Sequence, residues 1–175
     1  AGHYSSIGSA VNVVLSAVND DNLKYVRILD GDGNTLRCHE GSLRIGDKVV
    51  LGCNNVINTY LDIELGDSVL MADWCYVVDF DHKMDNIQLP IKDQGIVKAP
   101  VRIGPDTWVA AKVSVLRGTS VGRGCVLGAH AVVKGEIADF SIAVGAPAKV
   151  VKNRKLSWET SAAQRAELAA ALADH

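Results

Sequence analysis

The sequence predicts an all-β chain wound into stacked, three-sided coils, and three observations carry that reading. The first is composition. Of the 175 residues 48% are apolar, with 23 valines against nine aromatics, a balance that favours β-branched strands over helices. The second is a period of six. From Ile45 the chain divides into IGDKVV, LGCNNV, INTYLDIE with two extra residues, LGDSVL, MADWCY and VVDFDH; from Ile103 it divides into IGPDTW, VAAKVS, VLRGTS, VGRGCV, LGAHAV and VKGEIA. Every first position is aliphatic or Met, and fifth positions such as Val49, Asn55, Val69, Cys75, Val113, Thr119, Cys125 and Ala131 are mostly small. The third is one interruption, residues 83–96, to which no hexad fits.

Six residues per repeat suit neither an amphipathic helix nor a single half-buried strand of this length. They suit a coil with three short flat faces, each supplying one large and one small inward residue, with a small second residue that lets the chain turn. Stacked coils then pair their backbones at the strand spacing of about 4.8 Å. The chain is long enough for one core.

Taken in order, residues 1–44 read as a capping segment. Ile7 to Val13 imitates one hexad, and LKYVRIL and TLRCH flank the turn-rich Asp30-Gly-Asp-Gly-Asn34 as a hairpin would. The DGDGN string lacks the glutamate a calcium loop needs, so turn is the better assignment. Residues 45–154 form the coiled domain with its protruding loop, and residues 155–175 a C-terminal α-helix, with Ser161 and Gln164 at capping-box spacing and an apolar stripe from Ala162 to Leu172.

A formal net charge of −2 argues against nucleic-acid binding. No apolar run is long enough to span a membrane, and no basic segment precedes the apolar patch Val11 to Val18, so no signal peptide is expected. Four cysteines without a C-x-x-C pair indicate reduced thiols in a cytoplasmic protein. Cys75 and Cys125, at inward fifth positions, read as small core residues.

The segment from Ile45 to Lys152 resembles the hexapeptide-repeat acetyltransferases, most closely the maltose, galactoside and xenobiotic O-acetyltransferases and mycobacterial-type acetyltransferases. LGDSVLMADWCYVVDFDH at 65–82, PVRIGPDTWVAAKVSVLRGTSVGRGCVLGAHAVV at 100–133 and SIAVGAPAKVVK at 141–152 carry the resemblance. It implies a left-handed parallel β-helix, a homotrimer, acetyl-CoA as co-substrate and a small-molecule acceptor. The left hand comes from the resemblance alone.

In the resembled enzymes a loop leaves the prism straight after a catalytic histidine, and His82 holds that position. A neutral imidazole near pH 7 can take the proton of an attacking alcohol or amine. Asp79 and Asp81 flank it and are candidates to orient the ring. Lys83 stands where the family often has proline. The family's acceptor-positioning Asn and Asp fall at Gly52 and Tyr60, so Asn54, Asn58 and Asp62, with Trp74 and Tyr76, become the acceptor candidates. Trp108 matches a residue beside the pantetheine arm. The backbone of Ala110, Ala111, Gly128 and Ala129 is expected to meet the cofactor amides. Ala111 replaces a frequent serine, which leaves a backbone N–H to hold the oxyanion. Lys134, Lys149 and Lys152 are candidates for the phosphates. His82 and His130 lack histidine partners at the spacing of the γ-type carbonic anhydrases, so no metal site is expected. A non-catalytic scaffold and a γ-carbonic-anhydrase-like hydratase remain as alternatives.

Overall fold

A computed structural model describes the backbone of residues 5–6, 13–16, 26–29 and 33–173 and the side chains of residues 33–164. Parallel strands stack into three sheets, one per face of a triangular coil. The Trp108 face holds Val50–Leu51, Leu70–Met71, Trp108–Val109, Val126–Leu127 and Ser141–Val144. The Tyr76 face holds Thr35–Cys38, Val56–Thr59, Tyr76–Val78, Ser114–Val115 and Val132–Val133. The third, charged face holds Ser42–Ile45, Asp62–Leu65, Val101–Ile103, Ser120–Val121 and Glu136–Ile137.

The core follows from the period. All twelve first-position residues point inward, none more than 3% exposed, and the eight small fifth-position residues are buried beside them. They stack into columns: Leu36, Ile57, Val77, Val115 and Val133 behind the Tyr76 face, and Leu51, Met71, Val109, Leu127 and Ala143 behind the Trp108 face. Cys75 and Cys125 lie among them.

The small second residue serves a purpose other than the turn expected of it. The chain turns at the fourth position, where Lys48, Asn54, Ser68, Trp74, Asp106, Lys112 and His130 all have φ between 56° and 62°. The second position is small because neighbouring coils touch there. A Cβ on Gly104 would sit 2.6 Å from the Gly122 carbonyl carbon and 2.8 Å from the Arg123 nitrogen.

The stack begins earlier than Ile45. Thr35–Cys38 and Ser42–Ile45 already pair in parallel with Val56–Thr59 and Asp62–Leu65. A wide corner at residues 39–41, like that at 60–61, breaks the six-residue count and hides this coil from a search for hexads. Antiparallel strands Ser5–Ser6, Val13–Ser16 and Val26–Leu29 cover one face each of the first coils. Val26–Leu29 pairs with Thr35–Cys38 as a hairpin; the hexad-like Ile7 to Asn12 and the turn residues Asp30 to Asp32 lie outside the described residues.

At the other end Lys149–Asn153 turns back antiparallel on Ser141–Val144, pairing the edge of the last coil. The helix α1, Arg154–Ala173, follows directly. Asn153 caps it, its Oδ1 accepting from the Leu156 N–H at 3.2 Å. Ser161 is therefore not a cap: it lies inside the helix and donates to the Ser157 carbonyl. The side chains of Leu168 and Leu172 lie outside the described residues.

Replacing Gly104 with alanine should lower stability by about 1–3 kcal/mol, read as a fall of several degrees in thermal melting. An unchanged melt would show that the corners have room for a methyl group.

Candidate active site

His82 stands outside the coil. At the corner between the Tyr76 face and the charged face, Phe80–His82 pairs antiparallel with Ile96–Lys98 to form a two-stranded arm. The Ala99 N–H donates to the Asp79 carbonyl at 2.9 Å and closes its base. The repeat thus ends at Asp79, three residues before His82, because Val78 finishes the strand, the chain bends at Asp79 and Phe80 leaves the prism. The Gln94 side chain binds the Asn86 backbone at both ends across the tip, its Oε1 accepting from the N–H and its Nε2 donating to the carbonyl, and Gly95, with φ of 78°, takes the turn back into the arm.

Neither flanking carboxylate faces the imidazole. Asp79 is fully buried, and its carboxylate accepts from the Thr59 hydroxyl at 2.6 Å and from the N–H groups of Tyr60, Leu61 and Asp62 at 2.7–2.8 Å. It holds the wide corner of the coil below. Asp81 lies on the opposite side of its strand from Phe80 and His82, by the two-residue alternation, and pairs with Arg117 Nε at 2.5 Å. The ring beside His82 is Phe80, edge-on with centroids 6.4 Å apart. Phe80 in turn meets Tyr60 edge-on at 4.5 Å, and Tyr60 stacks on His39 at 4.2 Å. Lys98, ion-paired to Glu40, lies 5.6 Å from the Tyr60 centroid.

The structure scatters the acceptor candidates. Asp62 belongs to the outer charged face, where it accepts from Ser42, Arg44 and Arg102, so it is a network residue. Asn54 takes a left-handed turn at the corner between the Trp108 and Tyr76 faces, and Trp74, 61% exposed, stacks above it at the same corner. Tyr76 faces outward from its sheet between Val56 and Ser114. Asn58 differs from the other candidates in being nearly buried: its residue is 8% exposed, and Oδ1 is buried without a hydrogen-bond partner among the described residues. It pairs in register with Val78, next to the base of the arm.

The cofactor candidates separate in the same way. Trp108, 47% exposed, projects from its face between Leu70 and Val126. Val126 is in register with Ile142 and Ile142 with Lys152, so an apolar column runs from Trp108 to a lysine about 14 Å away at about 4.8 Å per strand. Lys149 pairs beside it with Val144. Lys134 is not with them; it follows Val132–Val133 at the corner above Arg117. The N–H groups of Ala110 and Gly128 are taken: they donate to Leu127 and Ala143 in the next coil, and the Ala111 carbonyl accepts from His130. Such N–H bonds are what stacking requires of second positions, so the N–H groups of Ala110 and Gly128 are already engaged, while the Ala111 carbonyl keeps a second lone pair. Ala129 is exposed at the corner beside Ala111. Among the described residues no three His, Cys, Asp or Glu side chains gather as a metal site, and no helix is long and apolar enough to cross a membrane.

These features agree with what comparison finds. The bacterial transferase hexapeptide model, six repeats, matches residues 100–135. WbbJ of Escherichia coli K12, whose name is that of a lipopolysaccharide biosynthesis O-acetyl transferase, is 30% identical over 135 residues, covering 69% of this chain and 68% of its own. The chain belongs to the hexapeptide-repeat transferases. A mycobacterial member of this family, "Probable acetyltransferase Rv3034c" of Mycobacterium tuberculosis, is 82% identical over 144 residues, 82% of this chain. The chain spans about half of that relative's length, 48%. Among solved structures, a maltose O-acetyltransferase from Clostridium difficile superposes with a TM-score of 0.60 at 28% identity, over 67% of this chain and 63% of its own. A galactoside acetyltransferase in complex with coenzyme A superposes with a TM-score of 0.60 at 25% identity, over 63% and 55%. The architecture is thus the left-handed parallel β-helix of hexapeptide-repeat transferases.

Two residues that sequence reasoning did not place at the site connect to the arm: His39, through Tyr60 and Phe80, and Arg117, through Asp81. Neither had a signal in the repeat, since both sit at corners where the residue type is unconstrained.

The charged face supplies a pH test. Burial alone would raise the Asp62 carboxyl, but hydrogen bonds from Ser42, Arg44 and Arg102 outweigh it and hold the group at about 2, against an ordinary 3.8. A depressed folded value contributes stability above the ordinary value, and that contribution is lost as pH falls from about 4 through 2. Asp62→Asn should therefore flatten the fall in melting temperature over that window. Identical acid profiles for the two proteins would count against the network.

Proposed function

We propose that this chain is a CoA-dependent acyltransferase that moves an acetyl or short acyl group to a hydroxyl or amine of a small acceptor, with His82 as general base. The observation that carries the reading is the opposition of two features within one prism. In a triangular coil the corner bearing the His82 arm lies across from the face bearing Trp108. A thioester lying along the Trp108 column is therefore out of reach of the same chain's His82, and a second copy must bring the two together.

The outer surfaces support such an assembly, here a homotrimer. Arg44, Asp62, Glu64 and Arg102 form ion pairs on the charged face, a surface suited to water. The Trp108 face instead exposes Leu70, Trp108 and Val144, and the Tyr76 face exposes Tyr76, apolar groups suited to a subunit seam. On this arrangement the pantetheine arm follows the Trp108 column and the phosphates meet Lys152 and Lys149.

In the reaction His82 takes the proton as the acceptor oxygen or nitrogen bonds to the thioester carbonyl carbon. A backbone N–H at the corner of Ala111 holds the oxyanion. As the tetrahedral species collapses the C–S bond breaks, and the proton on His82 passes to the departing thiolate. Asn58 is the acceptor contact in this reading, since its Oδ1 has no hydrogen-bond partner among the described residues. A cysteine acyl-enzyme has no support: burial pushes the Cys75 and Cys125 thiols up, away from the reactive thiolate. None of the four cysteines forms a disulfide, which suits a cytoplasmic setting.

The test is thiol release from acetyl-CoA against a panel of sugars, amino acids and aminoglycosides. His82→Ala should lower the rate by about 10²–10⁴. Mixed assemblies of His82→Ala and Trp108→Ala chains should regain activity, because some seams then combine an intact His82 with a partner's intact tryptophan. No CoA binding by calorimetry and no thiol release with any acceptor would favour a scaffold, and failure of the mixed chains to recover would place the site within one chain.

A further inference from the structure

We propose that Arg117 is a positioning residue for His82, acting through Asp81; the proposal rests on His82 being the general base. The arm that carries His82 is short. Three residues pair on each strand, and the tip beyond offers it no packing, since Met84, Ile87, Leu89 and Ile91 are all at least half exposed. The direction of the imidazole is therefore set at the base of the arm, where side chains brace it from two sides.

Toward the coils below, Phe80 leans on Tyr60 and Tyr60 on His39, while Lys98 of the returning strand reaches Glu40. Toward the coils above stands one charged contact, Arg117 Nε to Asp81 Oδ2 at 2.5 Å, with the two side chains 26% and 39% exposed. Alternation along Phe80–His82 makes this geometry informative: Phe80 and His82 share one side of the strand and Asp81 takes the other. The stacked rings and the ion pair thus hold opposite sides of a three-residue strand and oppose its rotation. The next residue, Gly118, donates its N–H to the Ala99 carbonyl at 3.2 Å, so the corner that presents Arg117 is itself fastened to the foot of the arm.

A charge-assisted bond of this kind is directional as well as attractive. Its loss frees the arm to swing about its base, and displacement of a base by about 1 Å can cost on the order of 10²-fold in rate. Arg117 lies at the corner across from its own chain's Trp108 column and its guanidinium is engaged by Asp81, so CoA binding should be indifferent to it.

The measurements are kcat for thiol release, with acetyl-CoA and the panel acceptor turned over fastest, and CoA affinity by calorimetry on the full chain. Arg117→Ala should lower kcat by about 10- to 100-fold and leave CoA affinity within about twofold. Arg117→Lys, which keeps the charge without the fork, should fall between the two, and the exchanged pair Asp81→Arg with Arg117→Asp should recover part of the loss. Amide hydrogen exchange should quicken about tenfold at residues 80–82 and 96–98 in Arg117→Ala and stay unchanged at Val113 and Val115. A kcat equal to the unaltered protein's, or faster exchange throughout the coils, overturns the positioning role while an inactive His82→Ala leaves the base assignment standing. Undiminished turnover by His82→Ala overturns that assignment and the role of Arg117 with it.

Discussion

The described coils answer to one constraint, that each lies on the next at the spacing of paired strands. At that distance several corners have no room for a Cβ beneath their neighbours, which is why glycine recurs at second positions and why Gly104 approaches Gly122 so closely. The same spacing lets one coil satisfy the polar groups of another. Asp67, Asp73 and Asp139 accept N–H groups of Asp47, Cys53 and Arg123 one coil away. Asn34 and Asn55 form a short interior ladder, each side-chain oxygen accepting the N–H of the residue stacked upon it. Buried polar groups at fifth positions are thus tolerated because the repeat delivers their partners.

A framework this regular leaves little freedom along its faces, and the chemistry collects where the rule is relaxed. The corner between the Tyr76 face and the charged face is the place. Successive coils treat it as a wide turn at residues 39–41, a wide turn at 60–61, a projecting arm at 80–98 and a tight turn at Arg117 and Gly118. Asp79 shows how the departure is stabilised: its carboxylate gathers one hydroxyl and three backbone N–H groups of the wide turn below, while its own carbonyl closes the base of the arm above it. One residue therefore joins the regular stack to the element that carries His82.

The legible parts of the sequence were those the period governs. The inward column from Ile45 to Val133, the burial of Cys75 and Cys125, and the departure of the chain near His82 all follow from counting in sixes. Counting fails at the wide corners, so the coil starting at Thr35 escaped it. It is silent on partners at distant positions, too. Asp79 and Asp81 both looked like companions of His82 because they neighbour it in sequence, yet strand alternation turns Asp81 away and burial gives Asp79 to Thr59. Ala110 and Gly128 looked available to a ligand until stacking assigned their N–H groups to the next coil.

What the sequence alone determined is the prism: its period dictates which residues point inward and where the stacking is interrupted, because one-dimensional repetition is all a solenoid needs. Only the tertiary structure decided which corner bears the arm, that Trp108 lies on the face across from it, and that Tyr60 and Arg117 brace His82 from opposite sides. Those relations join residues about one or two coils apart, and nothing in a hexad records which outward side chain stands beside which.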